Sequence, residues 1–215
     1  MKQLTSGIRV RKRASKLSPE VRREQLLTQA IKVFARRGLG AGRHAEIAEE
    51  SQVSVPTVFS YFPTREILVR EVLKKVDLFL FQVVKEALNS EDLVYAKMLA
   101  VTRAFGENVD NNENIMKIWL NWSTAMRETT WPLYEELQAK VINLFTKVIE
   151  EGKREGEIQA SVNAEIAAHM IVSGGHMIVQ MKIVGKKDSV ISEFLNKLVF
   201  GSLVAEYQSK GGRQK

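Results

Sequence analysis

The chain has 215 residues, 45% hydrophobic and 27% charged, enough for one large core or two modest ones that share an interface. It contains no cysteine, which excludes disulfides, thiol catalysis and thiolate metal sites, and its net charge of +7 calls for a polyanionic partner. No run of about 18 apolar residues marks a membrane span, and the first residues lack the apolar core of a secretory signal. No membrane partner and a cytoplasmic location are therefore expected.

The positive excess is N-terminal. Residues 1–70 carry 14 Lys+Arg against 6 Asp+Glu, a balance of +8, whereas residues 71–215 carry 18 against 19. Residues 1–16 include Arg9, Arg11, Lys12 and Arg13, with no acid and no apolar period, and read as a basic flexible arm.

Ser18-Pro19-Glu20 starts the first helix, with Ser as cap and Pro in the first turn; Leu26, Leu27, Ala30, Ile31 and Phe34 form its stripe, and Gly38 ends it. A second, short helix over 43–52 carries Ala45, Ile47 and Ala48 on its small apolar side. Val53-Ser54 makes a turn into a third helix over 55–61, where Pro56 disfavours a helical Val55 and is expected to move the start by one residue. Pro63-Thr64-Arg65-Glu66 stops that helix and caps a fourth, which runs through Leu68, Val72, Val76 and Ala87. The 3.6 period then continues with Val94, Met98, Val101, Phe105 and Val109; with Met116, Trp119 and Leu120; and with Leu133, Leu137, Val141, Leu144 and Val148. Asn163 caps an eighth helix and Asp188-Ser189 a ninth. The prediction is an all-α chain of about nine helices: an N-terminal three-helix helix-turn-helix domain over 17–65, a larger helical domain over 66–208, and a flexible tail over 209–215.

The second and third helices have the form of a DNA-reading pair, with Ile47, Ala48, Val53, Val58 and Phe62 inside. A major groove about 12 Å wide admits one helix, whose leading residues touch base edges while flanking groups hold phosphates. That assigns Val55, Pro56, Thr57 and Ser60 to the groove and Tyr61 and Arg65 to phosphates, with His44 and Ser54 completing the set.

Several segments, namely Phe34-Ala35-Arg36-Arg37-Gly38, Ile47-Ala48-Glu49, the run from Val53 to Phe62, and Arg65-Glu66-Ile67-Leu68, together resemble the TetR-type transcriptional regulators. Leu17-Ser18-Pro19, His44-Ala45, Phe62-Pro63-Thr64-Arg65-Glu66, Lys117-Ile118-Trp119, Trp122-Ser123, Arg127 and Trp131-Pro132-Leu133 extend the likeness. Over about 17–134 the chain is similar to the LuxR, HapR and SmcR branch, the quorum-sensing master regulators of vibrios. Pro56 stands where that branch has Ala, and Ser60 where it has Asn. The resemblance implies a homodimer on near-palindromic double-stranded DNA that represses or activates, with 66–208 as its regulatory and dimerisation domain and Arg9, Arg11, Lys12 and Arg13 following the minor groove. The alternative is a local, ligand-relieved repressor of an efflux or catabolic operon.

In the larger domain, bulky residues at helical spacing are most often core, but the resemblance makes Phe79, Leu80, Val83, Val84, Phe105, Met116, Trp119, Trp122 and Met126 candidates to line a pocket for a small apolar ligand. Two reading heads on a dimer span a near-palindrome, and small residues on the last two helices permit close approach. Ala167, Ile171, Gly174, Gly175, Ile178, Ile191, Leu195, Leu198 and Ser202 are the expected interface. His169 and His176 lie seven apart without a third ligand and read as packing or interface residues, so neither a metal nor a cofactor is expected. With no nucleophile–base pair and no phosphate loop, an enzyme is not expected.

Overall fold

A computed structural model describes residues 17–126 and 128–204. The basic arm at 1–16, with Arg9, Arg11, Lys12 and Arg13, and the tail at 209–215 lie outside the described residues. Among those described, nine α-helices and no strand are found: α1 (Pro19–Arg37), α2 (His44–Glu50), α3 (Val55–Tyr61), α4 (Arg65–Asn89), α5 (Val94–Asn111), α6 (Glu113–Ser123), α7 (Trp131–Glu155), α8 (Ala164–Ile183) and α9 (Asp188–Leu203). None of these helices is long and apolar enough to cross a membrane.

The helix starts follow the capping chemistry. Ser18, Thr64 and Asn163 each accept a hydrogen bond from the backbone N–H three residues on, at 3.3, 3.2 and 3.0 Å. Ser54 does the same for α3, which begins at Val55. Pro56 therefore does not move the start: first-turn N–H groups have no intrahelical partner, so a residue lacking one is tolerated there. Gln52, at φ 54°, is the one non-glycine residue in the left-handed region among those described, and it reverses the chain between α2 and α3.

The buried side chains of α1 to α9 form one continuous cluster, with a small second patch of Ile178, Ile191 and Leu195 between α8 and α9. α1 packs on both α4 and α6, so the first three helices share apolar contacts with the rest of the molecule. Two ion pairs, Arg23 with Glu71 and Lys75 with Glu24, bridge α1 to α4.

The predicted stripe on α7 is rotated by about one position. Leu137 is buried, but its fully buried companions are Tyr134, Ile142, Phe145 and Ile149, while Leu133, Val141, Leu144 and Val148 are half-buried flanks. The apolar arc is wider than one stripe, and periodicity alone does not locate its centre.

A Cβ at Gly42 would lie 2.2 Å from Cδ1 of Phe34, a ring fully buried in the head's core. The ring has nowhere to move, so Gly42→Ala is expected to destabilise the protein by about 1–3 kcal/mol. Chemical denaturation would register this as a lower midpoint with an unchanged slope.

Candidate functional site

Helix α3 presents two faces. Val58 lies in the core and Phe62, its C-cap, is fully buried, while Val55, Pro56, Phe59 and Ser60 face outward. Phe59, absent from the expected contact set, is 45% exposed and Val55 37%. Thr57 and Tyr61 are half-buried on the flanks, and Tyr61 packs against the core. The hydroxyls of α3 and its cap are already engaged: Ser54 Oγ accepts from Thr57 N–H and lies 2.8 Å from Thr57 Oγ1, and Ser60 Oγ donates to the Thr57 carbonyl at 2.7 Å.

Two expected DNA contacts are engaged within the protein. His44 is buried, its Nε2–H donates to the Phe62 carbonyl at 2.9 Å, and its ring lies parallel to Phe59 with centroids 4.2 Å apart. It is thus a support beneath Phe59. Arg65, in the first turn of α4, donates to the carbonyls of Leu39 and Gly42 and fastens the loop between α1 and α2. Those carbonyls follow the end of α1 and need donors, and Nε and Nη2 of the guanidinium supply them.

The acids of α2 are largely neutralised. Arg37 pairs with Glu46 at 2.9 Å and Arg36 with Glu50 at 3.0 Å, both from the last turn of α1. Each exposed pair adds little stability, but together they reduce the repulsion that α2 would exert on a polyanion.

A cavity of about 40 Å³ lies among α4, α5, α6, α7 and α8. Leu80, Val84, Phe105 and Trp119 line it as expected. Phe79 and Val83 instead pack half-buried against the core, Met116 and Trp122 are buried core residues, and Met126 is 68% exposed beyond the end of α6. The cavity's polar lining was not predicted: Thr102, Tyr134, Gln138 and His176. Thr102 Oγ1 donates to carbonyls of its own helix. Nδ1–H of His176 donates to the Val172 carbonyl at 3.1 Å, so Nε2 is bare and accepts the Tyr134 hydroxyl at 2.7 Å. Trp119 stacks on the imidazole at 4.1 Å. Burial lowers the His176 pKa and pushes the Tyr134 phenol up to about 12, so both stay neutral at neutral pH. Among the described residues, those lining the cavity carry no ionised group.

The small residues expected at a dimer interface mostly serve the protomer's own packing. Ala167, Ile171, Gly175, Ile178, Ile191, Leu195 and Ser202 are buried. Only Gly174 and Leu198 line the outward groove of α8 and α9, together with exposed Ile166, Met170 and Met177 and half-buried Phe194. Gly174 sets the approach of α8 to α9, since a Cβ there would meet Leu198 Cδ2 at 2.0 Å, whereas Gly175 faces Trp119 of α6. His169 is exposed on this outer face, whereas His176 is in the cavity.

Residues 26–72 match the family model described as bacterial regulatory proteins, tetR family. The chain is 41% identical over 143 residues to the HTH-type transcriptional regulator LuxR of Vibrio harveyi, covering 65% of this chain and 70% of that relative. Among solved structures, a TetR-like transcriptional regulator from Rhodococcus sp. RHA1 superposes with a TM-score of 0.72 at 17% identity, covering 87% of this chain and 98% of its own. The transcriptional regulator FadR from Bacillus subtilis, in complex with stearoyl-CoA, superposes with a TM-score of 0.68 at 16% identity over 86% and 99%. These two share the fold. With the helix-turn-helix in place and a relative of this identity spanning most of its length, the chain belongs to the TetR family of DNA-binding bacterial regulators and is a transcriptional regulator rather than an enzyme.

Proposed function

We propose that the protein binds near-palindromic operators sequence-specifically as a homodimer and acts as a quorum-sensing-type global regulator able to repress or activate. The observation that carries the DNA-reading part is the outward face of α3, on a segment whose first 70 residues balance at +8. The likeness to LuxR supports the global role.

The second copy is assigned to the outer face of α8 and α9. Ile166, Met170 and Met177 make an exposed apolar strip along α8, and Phe194 and Leu198 continue it on α9. Such contiguous surface is unusual on a monomer, and a two-fold partner seated there supplies the second reading head that a palindrome requires.

The cavity suits a small, largely apolar, uncharged ligand, because a buried carboxylate would find no cation on its wall. Its 40 Å³ exceeds the roughly 10–15 Å³ one water needs but falls well below the roughly 150 Å³ cavity that takes a benzene ring. A ring-sized ligand therefore has to displace lining side chains, which include Leu80 and Val84 on α4 and Trp119 on α6. Both helices pack on α1, so occupancy favours one disposition of the heads over another. The same geometry serves a local ligand-relieved repressor, a reading favoured by the ligand-bound state of the FadR neighbour.

Fluorescence anisotropy should give two chains per duplex and much tighter binding to a near-palindromic operator than to a scrambled duplex at moderate salt; equal affinities would defeat the proposal. In the same titration Arg65→Ala should lower head stability yet leave the salt slope unchanged, whereas a slope reduced by about one would return Arg65 to the phosphates. A genome-wide footprint over many promoters is expected for a global regulator; a single adjacent operator would favour the local repressor. For His176 the folded pKa lies below the ordinary value, so the unfolded chain takes up the proton first and stability falls as pH drops through about 6.5. His176→Gln should accordingly lose less melting temperature than the parent between about pH 7.5 and pH 5.5; an equal loss would locate the acid sensitivity elsewhere.

A further inference from the structure

We infer that α3 reads its half-site chiefly through the methyl groups of thymines, with Val55, Pro56 and Phe59 as the reading surface. The inference rests on the proposed DNA-binding role and names what that role recognises. The sequence of α3, Val55-Pro-Thr-Val-Phe-Ser-Tyr61, contains no Arg, Lys, Asn or Gln, the side chains that make bidentate hydrogen bonds to guanine or adenine. The nearest long amide, Gln52, sits in the preceding turn, outside the helix.

The hydroxyls do not fill that gap as a set: Thr57 Oγ1 already lies 2.8 Å from Ser54 Oγ, and Tyr61 is half-buried at the end of the helix, packed on the core. Ser54 caps the helix, and the Ser60 proton is committed to the Thr57 carbonyl, which leaves Ser60 able only to accept. The outward surface that remains is apolar: Val55, Pro56 and the exposed Phe59 ring one turn further on. The thymine C5-methyl is the apolar group that the base edges of ordinary DNA offer in the major groove. The charge complementarity that seats the helix there comes from the head and arm rather than from α3, which is uncharged.

Phe59 is also fixed in place. The His44 ring lies beneath it with an interplanar angle of 4°, and His44 is itself tied to the Phe62 carbonyl. A ring held in this way has little rotamer freedom to lose on contact, so its burial against a methyl is retained as affinity.

The test uses the full chain and duplexes selected from a random library. Each thymine of the selected duplex is replaced in turn by deoxyuridine, which removes the C5-methyl and keeps the pairing. A contact the size of one buried methyl predicts about fourfold weaker binding at two or more thymines of each half-site. Phe59→Ala should abolish the thymine-over-uracil preference at one of those positions while leaving the others. Because the methyl lies in the major groove, an arm in the minor groove does not report on it. A selected duplex whose deoxyuridine series binds without change overturns the methyl reading while upholding sequence-specific binding. Failure to select any sequence removes the DNA-reading proposal itself, and this inference with it.

Discussion

Arg65 and Val84 belong to one uninterrupted helix, 19 residues apart, and that continuity is the constraint on which the rest of the molecule depends. The guanidinium at one end secures the carbonyls of the loop that orients α2; the isopropyl group roughly 28 Å away lines the cavity. A helix of 25 residues that is packed along most of its length transmits displacement rather than absorbing it. The head is therefore not a separate module on a flexible joint, and its core is continuous with that of the body.

Two of the polar groups expected at DNA also hold the architecture. His44 and Arg65 are both of the type that contacts nucleic acid, and both face backbone carbonyls instead. The converse holds for Phe59, which periodicity cannot separate from a core aromatic and which stands exposed. In each case the deciding quantity is the direction of the side chain relative to its neighbours, which spacing along the chain does not encode.

Much else was legible. Ser18, Thr64 and Asn163 announced their helices because capping is a local hydrogen bond between residues three apart, whereas Asp188-Ser189, expected to cap α9, lies inside it behind an N-cap Lys187 that makes no side-chain bond. The inner set Ile47, Ala48, Val58 and Phe62 followed from the size of residues where two helices cross. The cavity was half legible: Leu80, Val84, Phe105 and Trp119 were candidates through the family resemblance, since helical spacing alone reads them as core, but Tyr134, Gln138 and His176 sit on helices distant in sequence and converge only through tertiary packing. The expected interface residues are ambiguous for a related reason. Small side chains mark where two helices approach closely, whichever chains those helices belong to, and Gly174 already serves α8 against α9 within one chain.

The absent side chain at position 174 has a wider effect than its size suggests. Leu198 occupies the space a methyl group there would need, so the separation of α8 and α9 is set at its lower limit by a hydrogen atom. Those two rods form the base from which the outward strip of Ile166, Met170 and Met177 projects. A wedge at that crossing would splay the two rods and change the curvature of the strip they carry.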